Sequence, residues 1–190
     1  LIAKHHRKIA KITNLGDVEF SGFSQWGEDG IIDWLIEKLP GISQTFIEFG
    51  VEDYWESNTR MLLYLRNWRG LVMDGSKEHI NDINGQEVSW RFALKTKCAF
   101  INRENINDLI AMSEMSGDIG LLSIDIDGND YWVWQAVDVV NPVIIVCEYN
   151  ALLGDLHALS IPYQADFRRS AAHHSNLYFG SSLRALIDLG

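Results

Sequence analysis

The chain has 190 residues, 47% of them hydrophobic, with only three prolines and 15 glycines. This fits one globular domain with its own core and excludes collagen-like or linker-rich chains. Sixteen basic residues against 26 acidic leave a net charge of -10, which repels phosphate backbones and argues against nucleic acid as a partner.

No apolar run approaches the roughly 20 residues that cross a bilayer. The longest, Val143–Cys147 and Ile119–Leu122, are strand-sized, so no membrane partner is expected. The cysteines, Cys98 and Cys147, form no CxxC pair and suit free thiols in a reducing compartment. The chain opens on Leu1 with no charged-then-apolar leader, and the cytoplasm is the expected location. Oligomeric state is left open.

A basic helix is expected over residues 1–12, its Lys4-His5-His6-Arg7-Lys8 patch reading as a solvated face. Ser24 is placed to cap a second helix running to Leu39, with Ile31, Ile32, Leu35, Ile36 and Leu39 at helical spacing and Pro40-Gly41 as the stop. Thr45–Val51 reads as the first strand. Ser57 caps a helix carrying Met61, Leu62 and Leu65. Gly70–Asp74 is the second strand, closed by Gly75-Ser76, and residues 77–84 suit a short helix. Ala99–Ile101 reads as the third strand, 105–115 as a helix, and Ile119–Asp125 as the fourth strand. A helix then starts at Asn129 or Asp130 and runs through Val140. Pro142–Glu148 is the fifth strand and Ser182–Leu189 the last helix.

Short apolar runs separated by helices imply βα units and a parallel sheet. Non-alternating runs imply strands covered on both sides. The expected fold is α/β: a Rossmann-like, doubly wound, mostly parallel sheet with helices on both faces. One domain spans 1–190, divided into N-terminal helices (1–40), a core (45–150), and a substrate-side loop with the last helix (151–190). Sheets of this kind often carry further strands, so truncation at the C-terminus is compatible with the pattern.

Ligands of open α/β sheets bind beyond the carboxyl ends of the strands, where strand order reverses. The acids gather at those ends: Glu48, Glu52 and Asp53 after the first strand, Asp74 after the second, Asp125, Asp127 and Asp130 after the fourth, Glu148 after the fifth. The first loop holds Gly50 but no GxGxxG and no GxxxxGK[ST], so nothing there cradles a pyrophosphate. Its carboxylates suit a cofactor with hydroxyls, an ammonium and a positive centre, which describes S-adenosylmethionine. Asp74, beside Gly75-Ser76, is placed for ribose hydroxyls or for a plain turn. Asp125 and Asp127, two apart in an extended chain, point the same way. With Glu148 and Asn150 they offer hard oxygen ligands for Mg²⁺ or another divalent cation. Alternatively Asp127, Asn129 and Asp130 cap the following helix without any metal.

The order Phe46-Ile-Glu-Phe-Gly, then Asp74, then Leu122-Ser-Ile-Asp-Ile-Asp-Gly128 resembles class I S-adenosylmethionine-dependent methyltransferases, and is most similar to the FkbM-type branch. Ser123–Gly128 resembles that branch's KIDVEG pattern, and Ser24-Gln-Trp-Gly-Glu-Asp29 resembles a segment it carries before the first strand. The likeness covers about residues 24–150. It implies a methyltransferase acting on a small molecule, on oxygen, with Glu48, Gly50, Asp74, Ser76 and Asp125 at the cofactor. Asp125–Tyr131 is also similar to the D-A-D-K-x-x-Y stretch of cation-dependent O-methyltransferases. That similarity implies Asp125, Asp127, Glu148 and Asn150 as metal ligands, with the cation lowering the pKa of substrate hydroxyls. Catalytic candidates are Asp125 and His174, the latter in the stretch that covers the substrate in this fold. Arg60 is a candidate partner for the cofactor carboxylate or for an acid of the chain. Two rival readings are a Rossmann-like binding domain without turnover and a Mg²⁺-dependent hydrolase using the acidic cluster.

Overall fold

The chain is described from a computed structural model covering residues 12–190. The basic helix expected at the start lies outside the described residues. The strands are β1 Thr45–Phe49, β2 Arg69–Asp74, β3 Leu94–Cys98, β4 Gly117–Ile124 and β5 Val140–Cys147. All pair in parallel, in the order β3-β2-β1-β4-β5. The order reverses between β1 and β4, and this is where the sheet opens a crevice. The helices are α1 Glu28–Lys38, α2 Arg60–Arg66, α3 Lys77–Gly85, α4 Glu87–Arg91, α5 Ile106–Ala111, α6 Asp130–Ala136, α7 Arg169–Ala172 and α8 Leu183–Leu189.

The period-two geometry of a strand divides the core in two. Phe46, Val72, Leu121 and Ile144 point to one face and pack with Ile32 and Ile36 of α1, Met61–Leu63 of α2 and Ile80 and Ile83 of α3. Ile47, Phe49, Leu71, Met73, Leu122 and Ile124 point to the other and pack with Ile106 and Ile110 of α5 and Val133 of α6. The expected Rossmann-like sheet with helices on both faces is therefore the observed fold.

Local boundaries moved for physical reasons. The third strand is Leu94–Cys98, not Ala99–Ile101. It is an edge strand paired only to β2, so Lys95 and Lys97 are tolerated, whereas Phe100 lies beyond the strand and is exposed. The helix expected through Val140 ends at Ala136, since Val140 opens β5. The helix expected from Ser24 starts at Glu28. Ser24 still serves it, because its Oγ accepts from Asp29 N at 3.1 Å while Asp29 accepts from the backbone N–H of residues 22–24. Among the described residues no helix is long and apolar enough to cross a membrane.

Candidate functional site

A cleft of about 900 Å³ opens at the carboxyl ends of the strands around the β1/β4 switch point. Gly50 sets its floor. With φ +73°, its backbone lies so close to β4 that a Cβ would sit 1.6 Å from the Asp125 carbonyl oxygen, so only glycine fits. The backbone of Glu52, Tyr54 and Asp127, in the loops after β1 and β4, is also left-handed, which for non-glycine residues stores strain at this edge.

Glu48 is buried and faces its own loop. Its carboxylate accepts from Ser57 Oγ at 2.7 Å, Asn58 N at 2.9 Å, Thr59 N at 3.2 Å and, over a very short contact, Thr59 Oγ1. Burial pushes its pKa up while these donors oppose the rise. Glu48 thus shapes the cleft by fastening the loop that rims it. Arg60 works from the other end of that loop. Only 3% exposed, it donates to the Tyr54 carbonyl at 2.7 Å and to Gln86 Oε1 at 3.0 Å, and its guanidinium lies 4.5 Å from the Trp55 ring centroid. Both roles proposed for Arg60 from sequence are therefore set aside: it holds the loop and does not line the cleft.

Asp74 accepts from Glu52 N at 2.9 Å and Ser76 N at 2.7 Å, and its Oδ1 lies 3.1 Å from His79 Nδ1. It ties the first and second loops together at the cleft wall. Ser76 caps α3 through His79 N.

Asp125 and Glu148 line the cleft and meet the fully buried Asp130. One oxygen from each lies within 4.8 Å of the others. Burial, then the neighbouring acids, lift Glu148 to about 8. Burial lifts Asp130 to about 7 against the N–H donors of Ile126 and Gly128. Burial and the Asp127 charge raise Asp125 as well, against its hydrogen bond with Glu148. Glu148 Oε2 is buried with no partner. This is a proton-holding carboxyl cluster.

The structure brings together only part of the ligand set expected from sequence. Asp127 lines the cleft but is not part of the three-carboxylate group: its backbone is left-handed (φ 59°), not extended, and its carboxylate pairs with Arg169 at 2.5 Å. Asn150 is buried and committed to main chain, accepting from Leu152 N and donating to the carbonyls of Leu177 and Phe179. Asp130 takes the place these two were given. His174 is exposed, stacked against His173 at 4.1 Å, and does not line the cleft.

Sequence reasoning missed several lining residues: Gln25, Trp26 and Glu28, and across the cleft Phe100, Phe167 and Arg169. The first three lie inside the Ser24–Asp29 segment, so a signal existed. Arg169 had none: it opens the four-residue α7 within an otherwise largely irregular strap over residues 154–181.

No family model and no curated protein matches the sequence. Among solved structures, the N-terminal domain of EvdMO1 with SAH bound superposes with a TM-score of 0.55 at 12% identity, covering 99% of this chain and 83% of that one. The same domain in the presence of SAH and D-fucose gives 0.51 at 10% identity, with the same coverage. The fold is therefore a Rossmann-like α/β domain of the kind seen in that neighbour, with an acidic crevice at its switch point.

Proposed function

We propose that the chain is an S-adenosylmethionine-dependent methyltransferase, FkbM-like, acting on an oxygen of a small hydroxylated, sugar-like acceptor. The observation that carries this reading is the cleft lining. Glu52, Asp74, Asp125 and Glu148 meet at one switch point, and no glycine-rich phosphate cradle accompanies them. The SAH in the EvdMO1 domain, which shares the fold, supports it.

The residues present fit such a donor. Gly50 leaves its main chain bare at the floor, and the acids favour a cation over a phosphate. Asp74 and the 50–52 backbone would hold the polar end, with Ala99, Phe100 and Ile101 as the apolar wall. When bound, the donor supplies an electrophilic methyl on a cationic sulfur. The chain's own part is alignment and proton removal. Glu148, hydrogen-bonded with Asp125 and keeping Oε2 free, takes the acceptor hydroxyl's proton. It is a base only once deprotonated, so turnover rises as pH passes about 8.

A second reading has its own observation. Three carboxylates within 4.8 Å offer hard oxygen donors for Mg²⁺, Mn²⁺ or Ca²⁺. Asp125, Asp130 and Glu148 would hold the ion, which would polarise an acceptor oxygen.

Calorimetry tests the proposal. S-adenosylmethionine and its demethylated product, S-adenosylhomocysteine, are expected to bind, and NADH and ATP to fail. No binding of either sulfur ligand at millimolar concentration ends the enzyme reading and leaves a binding domain. Phosphate release requiring Mg²⁺ but no methyl donor instead establishes the hydrolase. The cation reading predicts that Mg²⁺ or Mn²⁺ raises the melting temperature and that chelation reverses it.

A further inference from the structure

A second groove of about 470 Å³ opens beside the main cleft, lined by Phe100, Phe167, Arg168, Arg169, Ser170 and Asn176. We infer that this groove is an anion subsite for the methyl acceptor, in which Arg168 receives a carboxylate or a phosphate carried by that small molecule. The word acceptor rests on the methyl-transfer reading; the anion site does not.

Charge singles the groove out. The chain carries -10 overall, and the cleft beside it is walled by Glu52, Asp74, Asp125 and Glu148. Arg66, Arg91, Arg103 and Arg184, away from the groove, each hold a carboxylate. Arg168 is exposed and has no carboxylate partner among the described residues. Its guanidinium lies 5.1 Å from the Phe100 ring centroid. That contact leaves the exposed guanidinium with no carboxylate on its N–H groups, which match a carboxylate or phosphate in bidentate fashion. The acid that lines the groove, Asp127, is already paired to Arg169. Arg169 is itself held by that pair, by Glu148 at 4.0 Å, by the Asn176 carbonyl at 2.7 Å and by the Phe179 ring at 3.7 Å.

The groove is also connected to the chemistry. Phe100, Phe167 and Arg169 line both spaces, so a molecule anchored on Arg168 extends towards Asp125 and Glu148. Arg168 then fixes which end of the acceptor faces the carboxyl cluster, and a wholly neutral acceptor loses that orientation.

The test is calorimetry on the full chain saturated with S-adenosylhomocysteine. Inorganic phosphate and D-glucuronate are titrated, with D-glucose as the neutral control. Both anions are expected to bind and D-glucose to fail. Arg168→Ala weakens the anions about tenfold, Arg168→Lys weakens them less, and Arg184→Ala, on α8, leaves them unchanged. Tighter binding of phosphate assigns a phosphate ester, and tighter binding of glucuronate a carboxylate. The proposal is overturned if neither anion binds at millimolar concentration, if Arg168→Ala binds them as the parent does, or if D-glucose binds as well as D-glucuronate. If S-adenosylhomocysteine itself fails to bind, the methyltransferase reading falls, while the phosphate titration on the unliganded chain still decides the anion site.

Discussion

Replacing Gly50 with alanine adds one methyl group where β1 leaves the sheet. Two costs add. Holding alanine at φ +73° costs about 1–2 kcal/mol. The new Cβ lies 1.6 Å from the Asp125 carbonyl oxygen, so the backbones must part by well over an ångström. The neighbouring bonds, Gly50 N to the Met73 carbonyl at 2.9 Å and Asp125 N to the Phe49 carbonyl at 3.2 Å, then stretch past useful length. Each lost buried bond costs about 1 kcal/mol. The sum is about 3–4 kcal/mol, which at about 2 kcal/mol per molar urea moves the unfolding midpoint down by about 2 M. Seven tryptophans make fluorescence the natural probe. The folded fraction at low urea should also lose S-adenosylhomocysteine binding, because the displaced carbonyl belongs to the cleft. A midpoint shift below about 0.5 M, with ligand affinity intact, would refute the reasoning that the two strands meet at van der Waals limit through this residue.

Stability should fall as pH rises from about 5 to about 8, because folded Glu148 and Asp130 keep protons that the unfolded chain has released. Urea titrations of the parent and of Glu148→Gln check this, and the variant should show a flatter slope across that window. Glu48→Ala strands the donors of Ser57, Asn58 and Thr59 and should cost about 3 kcal/mol. Glu48→Gln, which keeps the shape, should cost less, and equal midpoints for the two variants would contradict the anchoring role. Gly128→Ala places a Cβ 2.3 Å from the Phe167 ring. Since a ring can move where a sheet cannot, amide exchange should quicken in residues 161–180 while the sheet stays protected.

The buried half of the molecule was readable in the residues. The apolar runs of β1, β2, β4 and β5 announce strands, of which β1, β2 and β4 are covered on both sides, and the acids at their ends mark the crevice. The β3 edge was not readable: β5 also pairs on one side only but keeps an apolar run, whereas Leu94–Cys98 carries lysines that mimic a loop. Within the site, Asp125 and Glu148 were placed together correctly in space. Asp127 was not readable because alternation presumes extended backbone, and its left-handed φ breaks that presumption. Arg169 reaches Asp127 across 42 positions, a partnership that no local periodicity encodes.

The strap over residues 154–181 is moored in an asymmetric way. Asn129, Trp132 and Asn150, all on the rigid body, send their side-chain N–H groups to the carbonyls of Gln164, Ile161, Leu177 and Phe179. Every non-proline or proline residue offers the same carbonyl, so these moorings do not care which side chains the strap carries. The ropes belong to the quay, and the cargo on deck can be exchanged without casting off. Grafting a foreign strap of equal length should therefore alter which acceptors are admitted before it alters whether the domain holds together.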